Sequence, residues 1–300
     1  MDQRPHPPMI AFLVGMAGIA TFSAMDAVMK GLVLALGTYM TLFWRSLAGA
    51  AMAGTLFARS PRWPDKSTMR IHLARGILGS GMAVLFFWGL ARVPLAQAIA
   101  LAFIAPLIAL YLAAVLLKEE VGPRMIGASL IAFSGVIIIF IGQAQADLGR
   151  EALIGSLAIL ASAVCYAINI ILMRRQAQVA SPIEVSFFQS VIMAVVLVFA
   201  WPFMGGIELP PMAAVPMILM AALLATSSHL LLTWAYARAN ASYLATTEYT
   251  SFLWAALFGW VFFREPVSLY TVAGAAMIVA GCILAARTPR DASPSLEAAA

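Results

Sequence analysis

The chain has 300 residues, of which 63% are hydrophobic and only 10% charged, against roughly 25% charged in a soluble domain. That balance excludes a soluble globular protein and sets the class as an all-α polytopic membrane protein. The net charge of +5 indicates no nucleic-acid partner, because the Lys and Arg residues sit in short separators between apolar runs, where they set orientation in the lipid bilayer.

Ten segments reach the length of about 20 apolar residues that a helical span needs. They lie at 9–31, 39–58, 71–91, 95–117, 123–143, 152–174, 183–204, 214–237, 242–264 and 267–287. The first span is too long for a cleavable leader and carries Asp26 and Lys30, so it is expected to stay in the protein. Asp26 and Lys30 form an i, i+4 pair, and Arg45 lies at a matching depth in the second span. Charge inside a membrane helix is costly and marks function by default. These three residues are read either as a structural ion pair of Asp26 with Arg45 or Lys30, or as an outer gate or grip on the ends of a zwitterion.

The third span presents Ser80, Ala83, Phe87 and Leu90 on one face, apolar apart from Ser80, and Gly76, Gly79 and Gly81 allow close helix approach. In the fourth span Pro106 offers no amide hydrogen, so the Ala102 carbonyl loses its helical partner and a kink is expected beside Phe103. The sixth span aligns Ser162, Tyr166, Asn169 and Met173 at spacings of 4, 3 and 4. Such a face either holds an aromatic side chain with its polar end or serves helix packing. The eighth span carries the clearest polar stripe, Thr226, His229, Thr233 and Tyr236, which must turn away from lipid, either onto another helix or into a wet cavity. The ninth span places Glu248 and Tyr249 near its cytoplasmic end, with Glu248 either paired to Arg238 or holding a substrate amine or a proton. Glu119 and Glu265 precede the fifth and tenth spans and suit helix N-termini.

Cys165 and Cys282 fall in apolar segments without ligand spacing, so neither a metal nor a cofactor is expected. The chain has no HExxH or GxSxG pattern, and His6 and His72 are placed at or beyond the membrane edge, so it is not read as an enzyme.

Self-similarity then organises the chain. The block Trp88–Ile137 returns at Trp234–Ile283, with Trp88 and Arg92 matching Trp234 and Arg238, and Gly135 matching Gly281. Most Lys and Arg residues fall on the side of both termini, leaving only Lys30, Arg92, Arg150 and Arg264 on the other. Both termini are therefore expected in the cytoplasm. Five spans per half is an odd number, so the second half enters inverted, the plan of many secondary transporters. The expected parts are a tail at 1–8, repeats at 9–143 and 152–287, an external linker at 144–151 and a disordered tail at 288–300.

Phe22 and Lys30 eight apart, Arg45, Pro106, Glu119 with Glu265, and the glycines 127, 135, 274 and 281 together resemble the drug/metabolite transporter superfamily in its EamA-like branch. Within it the chain looks most like the bacterial YddG aromatic amino acid exporters. Phe22 and Tyr166 depart from the Trp often found there. The resemblance implies ten helices around a central cavity, and the residues read from the spans as its candidate lining are Ser80, Phe87, Phe103, Pro106, Tyr166, Asn169, Thr226, His229, Thr233, Glu248 and Tyr249. It implies export of amino acids and related small molecules across the bacterial inner membrane, without ATP and with proton coupling as one option. Transport of another metabolite or drug, or a non-transporting sensor or assembly subunit, are the competing readings.

Overall fold

The computed structural model describes residues 8–59, 63–117, 123–146, 149–177, 179–204, 208–236 and 247–286. The helices are α1 (Pro8–Leu36), α2 (Thr38–Phe57), α3 (Lys66–Leu90), α4 (Leu95–Ala102), α5 (Ala105–Leu117), α6 (Pro123–Gln145), α7 (Gly149–Ala177), α8 (Pro182–Met204), α9 (Val215–Tyr236), α10 (Ser251–Phe263) and α11 (Leu269–Ala286). No strand occurs among the described residues. Among the described residues six helices are long and apolar enough to cross a membrane, and three further apolar helices are shorter. Large apolar side chains such as Leu130, Phe133, Phe199, Leu253 and Phe262 are exposed, as lipid-facing surface requires. The expected tails apart from Pro8, together with Glu119 and Arg238, lie outside the described residues.

Element ends differ from the sequence expectation where local chemistry overrides hydropathy. α1 runs past residue 31 to Leu36 and hands over to α2 through Gly37 alone, whose φ of 81° closes the turn. α3 starts at Lys66, because Asp65 caps it by accepting from the Thr68 amide at 2.9 Å. That early start draws His72 and Arg75 into the helix body. The linker expected at 144–151 shrinks, since α6 reaches Gln145 and α7 begins at Gly149, another left-handed glycine.

The predicted fourth span is broken into α4 and α5 by a turn at Phe103–Ile104, just before Pro106. The counterpart in the second half is broken too: a helical turn at Thr247–Glu248 gives way to a turn at Tyr249–Thr250 before α10. Phe252, not proline, occupies the position matching Pro106. Proline is thus not the common cause. In the second half hydroxyls take up freed carbonyls, Thr250 Oγ1 donating to Thr247 at 2.6 Å and Ser251 Oγ to Glu248 at 2.6 Å. In the first, Cys282 Sγ donates to the Phe103 carbonyl at 3.3 Å. The two breaks meet, with the Phe103 and Tyr249 rings edge to face at 5.7 Å.

Packing runs mainly between the two halves: α1 lies along α9, α2 along α8, α3 along α7 and α6 along α11. Glycine and alanine make these contacts close. A Cβ at Gly135 would stand 2.6 Å from the Gly274 carbonyl oxygen, and one at Gly274 would stand 2.5 Å from that of Gly135, so the two backbones touch. Gly76 and Gly79 likewise receive Ile192 and Gln189 of α8, whereas a Cβ at Gly81 would meet open space.

Candidate substrate cleft

Lys30 does not pair with Asp26. Its ammonium, only 2% exposed, donates to the Val93 carbonyl at 2.7 Å and forms an ion pair with Glu265, while sitting 5.3 Å over the Phe263 ring. The other Glu265 oxygen accepts from the Leu95 amide at 2.8 Å. Glu265 therefore caps α4, in the other half of the chain, rather than the helix that follows it. A left-handed Arg264 (φ 56°) ends α10 and turns Glu265 back toward Lys30, with the Arg264 and Glu265 amides returning to the Trp260 and Gly259 carbonyls. This pair closes the end of the bundle where α1, α4 and α10 meet.

Asp26, one helical turn away and 2% exposed, has no hydrogen-bond partner at either carboxyl oxygen. Arg45 is its charged neighbour but does not come within ion-pair distance. Its guanidinium contacts Met193 Sδ at 3.5 Å, and its Nε is buried without a partner. The expected ion pair of Asp26 with Lys30 or Arg45 is thus absent, because Lys30 is taken by Glu265 and Arg45 is held short of contact.

A second polar group, which hydropathy placed at the membrane edge, is buried between α3, α7 and α8. His72, 1% exposed, shares a hydrogen bond through Nε2 with Glu184 at 3.0 Å and through Nδ1 with Gln176 at 2.6 Å. Arg75 donates to the Gln176 side chain and, through Nε, to Asn169 Oδ1 at 3.2 Å. Among the described residues no carboxylate pairs with Arg75. Sequence reasoning missed His72, Arg75, Gln176 and Glu184. The spacing of 3 between His72 and Arg75, on a helix also carrying Gly76 and Gly79, was the available signal.

Tyr166, 38% exposed, lies within electrostatic reach of Arg75 and of Glu248. His229, also exposed, lies within reach of Arg75 and Arg45 and meets the Phe22 ring edge to face at 6.5 Å. These contacts gather residues of α1, α3, α7 and α9 in one region, which marks the candidate cleft. The rings gathered there are Phe22, Tyr166 and His229, and the polar groups near them are Arg45, Arg75, Asn169 and Glu248.

Not every anticipated lining residue reaches this cleft. Ser80 is buried and spends its hydroxyl on the Gly76 carbonyl at 2.7 Å, and Phe87 is buried. Ser162 donates to the Met82 carbonyl at 3.0 Å, so that member of the α7 stripe serves packing on α3. Thr226 bonds Ala222 of its own helix at 2.9 Å, and α9 contacts α1 through Ser228, which donates to the Gly18 carbonyl at 2.9 Å. The side chains of Thr233 and Tyr236 lie outside the described residues. Phe103, Pro106 and Tyr249 stand at the helix breaks, with Tyr249 in electrostatic reach of Glu248. Trp88 and Arg92 form a cation–π contact at 3.5 Å, and Arg92 also pairs with Glu151 at 3.0 Å.

No group of three or more His, Cys, Asp or Glu able to hold a metal occurs among the described residues. Comparison with known proteins gives the arrangement its context. The chain is 26% identical over 273 residues to the pseudopaline exporter CntI of Pseudomonas aeruginosa, covering 90% of this chain and 93% of that protein. It is 30% identical over 223 residues to a riboflavin transporter of Rhizobium johnstonii, covering 72% of this chain and 70% of that one. A crystal structure with 20% sequence identity shares the fold at a TM-score of 0.60, over 93% of this chain and 98% of its own. The EamA-like transporter family model matches twice, at residues 9–141 and 153–287. The chain is a multi-pass membrane protein that belongs to the EamA-like transporter family.

Proposed function

We propose that the protein exports amino acids, aromatic and other neutral ones, and related small metabolites across a bacterial inner membrane. In this reading ten spans form two inverted five-helix repeats, at 9–143 and 152–287, and the cleft between them opens alternately to either side, driven by a proton gradient. The observation that carries it is the cleft itself: exposed aromatic rings of Tyr166 and His229 stand beside groups of both charge signs, Arg75 and Glu248. A zwitterion with an apolar side chain is the ligand that matches rings and both signs together.

The inverted arrangement draws support from contacts that repeat at the sequence offset of 146. Phe103 and Tyr249, one offset apart, touch each other. The approach of Gly135 to Gly274 has its counterpart in Gly281, whose Cβ would meet the Ala128 carbonyl at 2.6 Å. Of the two named relatives one is a pseudopaline exporter and the other a riboflavin transporter. The riboflavin transporter favours a second reading, a larger flat-ring cargo between Phe22, Tyr166 and His229. Proteoliposomes holding the purified chain should exchange radiolabelled phenylalanine, tryptophan or methionine, and riboflavin in the second reading. Movement of sugar phosphates alone would overturn both.

A further inference from the structure

Among the described residues, α1 and α2 together carry four side chains with buried polar atoms that have no hydrogen-bond partner: Ser23 Oγ, both oxygens of Asp26, Thr41 Oγ1 and Arg45 Nε. Ser23 lies three residues before Asp26 on α1, and Thr41 lies four before Arg45 on α2, so each helix presents its pair within a turn of itself. Buried polar atoms are nearly always satisfied, and each exception needs a cause. Here the set is complementary. Two hydroxyls and a guanidinium N–H can donate, and a carboxylate can accept from all of them, yet the groups stand apart. A permanent structural pair would be closed.

We propose that Asp26 is the proton-binding group of this transporter, neutral in the arrangement described here and, once deprotonated, drawn onto Arg45, Thr41 and Ser23. This rests on the transport reading above. The ligand must be a proton, because neither carboxyl oxygen is open to anything larger. Arg45 beside it opposes a second cation, whereas protonation removes the charge altogether. The charged and titratable neighbours are accounted for. On α1 Lys30 is engaged by Glu265, on α3 Arg75 and His72 are engaged by Asn169, Gln176 and Glu184, α9 contributes His229, and α10 carries no ionisable residue between Ser251 and Phe263. On α2 Tyr39 donates to the Leu197 carbonyl at 2.8 Å, which leaves Arg45.

The line between α1 and α2 is also where the bundle can move. α1 packs chiefly on α9 and α2 chiefly on α8, so drawing Asp26 and Arg45 together shifts one helix pair against the other. Proton release thereby becomes a change of shape.

Two measurements test this. Infrared difference spectra of the full chain in lipid, between acidic and alkaline pH, should contain a protonated-carboxyl band that disappears in Asp26→Asn and persists in Glu248→Gln. A band that persists in Asp26→Asn, or none in the unaltered chain, overturns the assignment. In proteoliposomes a gradient of one pH unit should concentrate phenylalanine roughly tenfold for one proton exchanged per substrate. Asp26→Asn should abolish that accumulation while keeping counterflow exchange of labelled for unlabelled phenylalanine. Loss of counterflow together with accumulation, or accumulation unchanged in Asp26→Asn, overturns the proposal. Absence of phenylalanine counterflow in the unaltered chain counts against the amino acid reading, and the infrared band then still decides the role of Asp26.

Discussion

Two carboxylates meet the same helix a turn apart, and they are treated oppositely. Glu265 reaches across from the second half to Lys30 of α1 and to the Leu95 amide, and every strong donor in its reach is used. Asp26 of α1 is more deeply buried and receives none. A buried charge that is fully paired acts as a latch, because opening it strands an ion in a medium that cannot solvate it. A buried carboxyl without a partner is tolerable only as a neutral group, so it is free to exchange a proton. Burial alone does not distinguish the two roles; the donors aimed at the oxygens do.

The comparison can be broken most sharply at the latch. Lys30→Met should lower stability by roughly 2–3 kcal/mol by leaving the partly buried Glu265 with the Leu95 amide as its remaining partner, visible as a large fall in the thermal-unfolding midpoint in detergent. The double variant Lys30→Met with Glu265→Met should recover most of the loss, and a double variant as unstable as the single would show that no latch exists. At the open site the sign reverses. Asp26→Leu removes a carboxyl that accepts no hydrogen bond and should raise stability by about 1–3 kcal/mol, with the midpoint moving up while pH-driven transport is lost. A fall would mean that Asp26 is paired after all.

The smallest effect is expected where a carboxylate lies in water. Asp65 precedes α3, and hydrogen bonding from the Thr68 side chain, the Ser67 hydroxyl and the Thr68 amide holds its pKa at about 2, below the ordinary aspartate value. The folded value lies below the unfolded one, so the cap's contribution is complete above the ordinary aspartate range and is lost as pH falls through about 2. Asp65→Ala should lower the unfolding midpoint only slightly near neutral pH, with the difference from the unaltered chain vanishing in strong acid. A drop comparable to that of Lys30→Met would remove the contrast between solvated and buried carboxylates.

The overall class was legible because lipid imposes it: long apolar runs, punctuated by Pro and Gly, leave helices as the simplest outcome. The break near Phe103 could be read from Pro106, a local steric fact. Its partner at Tyr249–Thr250 could not, because hydroxyl groups rather than a missing amide sustain it. Lys30 and Glu265 are 235 residues apart, and no periodicity reports a contact of that range, so Lys30 was matched with its nearest acid on the same helix. His72 and Arg75 were misplaced for a smaller reason. The Asp65 cap starts α3 five residues ahead of the hydropathy edge, and a basic residue at the edge of an apolar run looks like a loop anchor. Tyr166, Asn169 and His229 were singled out by stripe spacing, which records the face a helix keeps from lipid. That spacing does not separate a face spent on packing, as at Ser162 and Thr226, from one left open.

The meeting of Gly135 and Gly274 has a mechanical consequence. Where the two backbones touch, neither glycine has a rotamer to exchange, and Ile278 and Ile139 close over the contact from either side, so the α6–α11 line is a tightly fitted seam. Any side chain larger than hydrogen at either glycine would have to push these two helices apart.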